Sequence, residues 1–97
     1  MAYVSIGIFA LAPAHREMQR TVLEQRIAPM VARMRGFVTG FWSEDESTGE
    51  STHYVVFEDE TGVRALHTQI ERDREEAKRH GVELKSLVMK PVVAVAR

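Results

Sequence analysis

Apolar and polar residues alternate along Tyr3–Leu11 (YVSIGIFAL). Val4, Ile6, Ile8 and Ala10 lie on one side, and Tyr3, Ser5, Gly7 and Phe9 on the other, the period-two signature of a strand. Pro13 suits the first turn of a helix, where its missing N–H is not needed. From there to Arg35 the spacing is helical, with Met18, Val22, Leu23, Ile27, Met30, Val31 and Met34 three or four apart. Pro29 removes the hydrogen bond back to Gln25, which predicts a kink or a division into a longer and a shorter piece. Gly36 closes the helix. The segment Gly36–Glu60 then carries two β-type runs, Phe37–Trp42 and His53–Phe57, joined by an acidic connection containing Gly49. This predicts a long-tipped hairpin.

Thr61 or Asp59 can cap a second helix that places Val63, Leu66, Ile70 and Ala77 on one stripe. Its other face, dense with charge from Arg64 to Arg79, reads as a solvated surface. Gly81 ends this helix, Glu83–Met89 forms a fourth strand, Pro91 breaks it, and Val92–Ala96 is a short apolar extension. The order is β-α-β-β-α-β. It predicts an α+β, ferredoxin-like fold, a four-stranded antiparallel sheet with two helices on one face.

Helices on one face leave the other to water, and strands of that kind alternate apolar with polar residues. These strands do not. Strict alternation puts Phe37 and Phe41 on one face and Val38 and Trp42 on the other; Val55 and Phe57 oppose Tyr54 and Val56. Two apolar faces predict a homodimer packed through the helix-free sheet faces, with the Val92–Ala96 tail placed to cover a sheet edge of the partner.

Composition narrows the picture. A chain of 97 residues supports one domain, 1–97, with one core. A formal charge of -1, from 13 basic and 14 acidic side chains, gives no bulk attraction to nucleic acid or anionic membrane. With no cysteine, disulfides and thiolate chemistry are excluded. No secretory leader or membrane-length apolar run is present, so a cytoplasmic protein is expected.

His67 is the most informative single residue, because it falls beside Val63, Leu66 and Ile70 on the stripe facing the sheet. An imidazole in an apolar pocket can serve as a general base or bind a haem iron; the simpler reading is a ring bonded locally at the stripe's edge. Trp42 and Tyr54, on neighbouring strands, are candidates for a stacking wall against an aromatic ligand, with core or interface packing as the plainer alternative. Ser5 and Thr39 are sparse polar groups on apolar strands, of the kind that line a pocket. His53 opens the third strand near the hairpin connection, where a surface position is the plain reading. His15 and His80 read as helix-end surface residues. Glu44, Asp45, Glu46 and Glu50 lack the ligand spacing of a calcium loop. The histidines form no HxH or HExxH unit, so no metal site is expected. The third strand, HYVVF, lacks the basic residue of an RNA-binding sheet.

The run RGFVTGFW after a helix, then HYVVFEDETGVRAL leading into a second one, resembles the dimeric α+β barrel proteins of the antibiotic biosynthesis monooxygenase type. The likeness is greatest in G-F-V-x-G and V-V-F-E-D-E. It implies a ligand pocket between the sheet and the helices of each protomer, and no cofactor for the oxygenases of this type. The superfamily also holds haem-degrading enzymes, small isomerases and proteins without known activity. Its haem-degrading and quinone-forming members use a pocket asparagine and tryptophan. This chain has no asparagine, and its one tryptophan, Trp42, is on a strand.

Two functions follow. One is an antibiotic biosynthesis monooxygenase-like protein that binds or oxidises a small aromatic or polyketide-like molecule, with His67 as base or hydrogen-bond partner. The other is a non-catalytic dimeric binding or stress-type protein whose pocket is filled by its own side chains.

Overall fold

The computed structural model describes residues 1–96; of the expected domain 1–97, Arg97 lies outside the described residues. Strand β1 spans Tyr3–Leu11. After a short 3₁₀ turn at Pro13–His15, α1 spans Arg16–Val22 and α2 spans Ala28–Ala32. Strands β2 (Phe37–Asp45) and β3 (Glu50–Phe57) form the hairpin. Helices α3 (Glu60–Arg72) and α4 (Arg74–Arg79) follow, and β4 spans Val82–Pro91. The sheet order is β2-β3-β1-β4, with each neighbouring pair antiparallel. This is the ferredoxin-like α+β arrangement that the element order predicts.

The first helical arm departs from an uninterrupted helix where Pro29 requires it to. Between α1 and α2 the residues Leu23–Ile27 form a wide π-helical turn, and the N–H of Ala28 bonds to the carbonyl of Leu23, five residues back. The wide turn closes at Ala28, immediately before Pro29, which has no N–H to give to the Gln25 carbonyl. One extra residue turns the apolar stripe by about 100°. Met18 and Met30 are accordingly exposed, at 65% and 40%, while Val31 is fully buried. Gly36 ends the arm at φ 83°, a left-handed conformation that a glycine adopts without strain.

The hairpin is longer in its strands and shorter at its tip than the apolar runs indicate. Pairing continues through Ser43↔Thr52, Glu44↔Ser51 and Asp45↔Glu50. Asp45 closes the tight turn by accepting from the N–H and hydroxyl of Ser47, at 2.9 and 2.7 Å. Near the start of β2 the register shifts between Phe37 and Thr39, a bulge at Val38 that reverses the alternation. Phe37 therefore shares a face with Trp42, not with Phe41. It meets Phe57 edge-on at 6.2 Å, while Phe41 lies against Tyr54 at 5.0 Å.

Asp59 caps α3 by accepting from the Gly62 N–H at 3.4 Å. Gly62 sits directly on the Phe57 ring, where an added Cβ would collide. Asp73 separates α3 from α4. Val31, Val55, Phe57, Val63 and Leu66 form the core between the sheet and the helices, with Phe37, Trp42, Ile70 and Met89 packed against them. The other sheet face carries exposed Phe41 (58%), Val88 and Tyr54. Pro91 continues β4, the edge strand, opposite Tyr3 and needs no N–H there. Beyond it, residues 92–96 join no strand; the Val92 N–H bonds to the Ala2 carbonyl at 2.8 Å.

Candidate functional site

Three polar side chains meet inside the helix-covered half of the molecule. Ser5 projects from the first half of β1 and is fully buried. Its hydroxyl oxygen lies 2.7 Å from Nε2 of His53 on β3 and 2.8 Å from Nε2 of His67 on α3. Each element supplies its group for a local reason. In the β1–β3 register Gly7 stands opposite His53. With no side chain on Gly7, the imidazole lies across that backbone, and a Cβ there would sit 2.6 Å from His53 Cε1. His67 follows Val63 and Leu66 along the buried stripe of α3, which carries its ring down onto the strand. Phe9 and Trp42 flank His53, with ring centroids 5.7 and 6.3 Å away.

One hydroxyl proton decides the arrangement. Ser5 can donate to only one of the two Nε2 atoms and accepts from the other, so two neutral rings bonded this way must carry opposite tautomers. Both are held neutral. Burial pushes His53 down to about 4, assisted by the neighbouring His67. His67 is also held below the ordinary imidazole range, first by burial; Glu71 pulls it up and Arg64 pushes it further down.

Beside this cluster a cleft of about 300 Å³ opens between the first helical arm and the hairpin. Leu23, the first residue of the wide turn, and Ala28, just after it, form one wall, and Trp42 and Ser51 form the other. Ser51 lies two residues before His53 on the same strand face, so His53 sits next to the cleft wall. Arg20, Glu24, Ser43 and Glu44 complete the lining, and Arg20 pairs with Glu44 at 2.8 Å.

The structure brings Ser5, His53, His67 and Trp42 together and separates two further candidates from them. Tyr54 and Thr39 lie on the helix-free face, Tyr54 against Phe41 and Thr39 opposite Val56. Trp42 and Tyr54 therefore form no common wall, because adjacent positions on paired strands point to opposite sides. His53 is 2% exposed and is not a surface residue of the hairpin. Of the others, His80 is bonded to Glu76 and His15 packs against Gly81. The roles of Gly7, Ser51 and Leu23 are not evident from hydropathy; the one available signal is a glycine in mid-strand, which marks close approach of a neighbouring group. Among the described residues no three His, Cys, Asp or Glu side chains group as metal ligands. Nor is any helix among them long and apolar enough to cross a membrane.

No family profile and no curated protein sequence matches the chain. Solved structures do. A Deinococcus radiodurans protein provisionally assigned as an antibiotic biosynthesis monooxygenase is 19% identical with a TM-score of 0.75, over 98% of this chain and 96% of that one. The ActVA-Orf6 monooxygenase of Streptomyces coelicolor, solved with nanaomycin D, is 17% identical with a TM-score of 0.68, over 99% and 92%. SnoaB, a cofactor-independent oxygenase from Streptomyces nogalater, is 18% identical with a TM-score of 0.68, over 97% and 95%. At these identities the likeness is one of fold. The chain has the ferredoxin-like α+β fold of the antibiotic biosynthesis monooxygenase-like proteins.

Proposed function

We propose that the protein is a homodimer that takes a small aromatic or polyketide-like molecule into the cleft beside Trp42 and oxidises it with molecular oxygen. The observation that carries this reading is a pair of neutral imidazoles, joined through Ser5, directly behind the Trp42 and Ser51 wall of an open cleft. A neutral ring nitrogen has a lone pair free to take a phenolic proton, and a relay that passes the proton on offsets the lowered basicity of a buried ring. The phenolic proton passes to the imidazole pair. The electron-rich substrate anion then gives one electron to oxygen, and the two radicals combine through a new C–O bond into a peroxide anion, which takes the proton back and loses water as the O–O bond breaks, leaving a quinone carbonyl. His67 is the outer member of the pair, and Trp42 supplies a flat apolar wall for the ring. The solved neighbours support the reading to the extent that one is a cofactor-independent oxygenase and another was solved with nanaomycin D.

A panel of phenolic and hydroquinone substrates, followed by oxygen uptake and product mass, tests it. His67→Ala is expected to lower turnover by about 10²-fold or more, the usual worth of a positioned acid–base group. Unchanged turnover of every accepted substrate overturns the assignment. One observation favours a second reading: about 300 Å³ stands at the lower end of small-molecule sites. On that reading the protein is a non-catalytic dimeric binding or stress-type protein, and Ser5 with its two histidines is a buried cross-link between sheet and α3. Ligand binding without oxygen uptake across the panel decides for it.

A further inference from the structure

Ser5 is enclosed completely, and among the described residues its hydroxyl has two partners, His53 and His67. The two lie at opposite ends of a short path. His53 stands beside the cleft wall formed by Trp42 and Ser51, while His67 is half-buried on α3, one turn before the exposed Glu71. A purely structural cross-link needs one donor and one acceptor. This chain has a rotatable hydroxyl between two groups that each both accept and donate. We infer that His53, Ser5 and His67 form a proton relay that connects the cleft with the outer surface of α3.

The transfer balances as follows. At rest His53 carries its proton on Nε2 and donates to Ser5, Ser5 donates to the bare Nε2 of His67, and His67 carries its proton on Nδ1. A proton arriving at Nδ1 of His53 lets the Nε2 proton move to Ser5 Oγ while the serine proton moves to His67 Nε2. His67 is then cationic until it releases its Nδ1 proton outward. One proton enters, one leaves, and no charge stays on the buried ring. Burial disfavours a cation on both rings, but His53 is 2% exposed and His67 only half-buried, where Glu71 works against the effect and Arg64 with it. The direction of outward flow follows from that difference. Each passage inverts both tautomers, and a proton returned to the substrate oxygen later in the reaction runs the same shifts backwards.

The source of the proton rests on the function proposed above; the relay itself can be tested without a substrate. Long-range ¹H–¹⁵N correlation spectra of the ¹⁵N-labelled protein at neutral pH report the tautomer of each ring. The expected result is opposite tautomers for His53 and His67, and two Nε2–H rings or two bare Nε2 atoms would overturn the relay. Deuterium entry at the His53 ring, normalised to the backbone amide of Val55, gives the second readout. Removing the linking hydroxyl with Ser5→Ala should slow it by up to about tenfold, the scale of one lost hydrogen bond, and Ser5→Thr should restore it. Normalised exchange that is equal or faster in a folded Ser5→Ala protein sinks the proposal. If that variant does not fold, the same normalised exchange in His67→Gln, which removes the outward end of the path and leaves Ser5 bonded, gives the readout, and exchange equal to the wild type sinks the proposal. Failure of oxygen uptake together with a working relay removes the oxygenase reading alone.

Discussion

Gly7 and His53 illustrate how much of the site depends on a single missing methyl group. The His53 ring occupies the space a Cβ on residue 7 would need, so Gly7→Ala must displace the ring or bend β1. Alanine restricts the unfolded chain and gains about 0.4–1 kcal/mol from that, but overpacking costs about 1–3 kcal/mol. The net expectation is a loss of roughly 1–2 kcal/mol in urea unfolding, with His53 no longer bonded to Ser5. His53 also predicts the pH dependence. Its folded value of about 4 lies below its ordinary 6.5, so between these limits the unfolded chain binds more protons and stability rises with pH. The contribution is complete above about pH 6.5 and lost by about pH 4, amounting to about 3 kcal/mol at 1.36 kcal/mol per pH unit. His67, facing Glu71 and Arg64, adds to the loss in the same direction. Urea unfolding across this range checks it: His53→Gln should flatten the profile, and an equally steep profile in that variant would refute the assignment. Ser5 and His67 stand out in the sequence as polar groups in apolar surroundings, whereas His53, at the head of a strand, reads as a surface residue. The meeting of the three does not stand out, because periodicity assigns a face and not a partner; it takes the register Gly7↔His53 to place the ring.

Elements with a local cause are legible, and those set by pairing are not. Both helix-ending glycines and the Asp59 cap follow from the chain itself. The extra strand pairs through Ser43–Asp45 do not, because polar residues on an edge hairpin carry no hydrophobic signal. The Val38 bulge is equally silent, yet it decides that Trp42 shares its face with Phe37 and His53 while Phe41 does not. Pro29 announces a break, but whether a kink or a wide turn results depends on packing: here the turn sets Leu23 and Ala28 across from Trp42. Helix α3 carries His67 into the cluster from a single capped end. Its cap bond is long at 3.4 Å, so Asp59→Ala should cost about 0.5–1 kcal/mol, the low end for an N-cap. A chain of this size would lose roughly 2–8 °C in thermal midpoint, readable by circular dichroism; no measurable change would mean that Gly62 packing on Phe57 alone fixes the helix start.

At the scale of the whole molecule, the sheet separates two apolar environments. One holds the core, the cleft and the histidine pair. The other presents Phe41, Tyr54 and Val88 with no helix to cover them. Burial of one such side chain is worth about 1.5–3 kcal/mol, and three or more on a two-fold face are counted twice in a symmetric pair. That supports a homodimer through this face. The tail adds little to the case, since residues 92–96 join no strand and Val93 is 90% exposed. Sedimentation equilibrium is expected to give a dimer for the wild type. Phe41→Glu places a carboxylate on the face proposed to pair and should weaken association by about 10²-fold or more, combining lost burial with charge desolvation. The Ser5 cluster lies on the opposite side of the sheet, so the ring tautomers of a monomeric Phe41→Glu protein should match those of the wild type. A wild type that stays monomeric at every concentration refutes the paired sheets, and a Phe41→Glu protein that remains dimeric moves the interface to another face. Tautomers that change when the dimer parts would show that the second copy holds the sheet in the register on which the histidine pair depends.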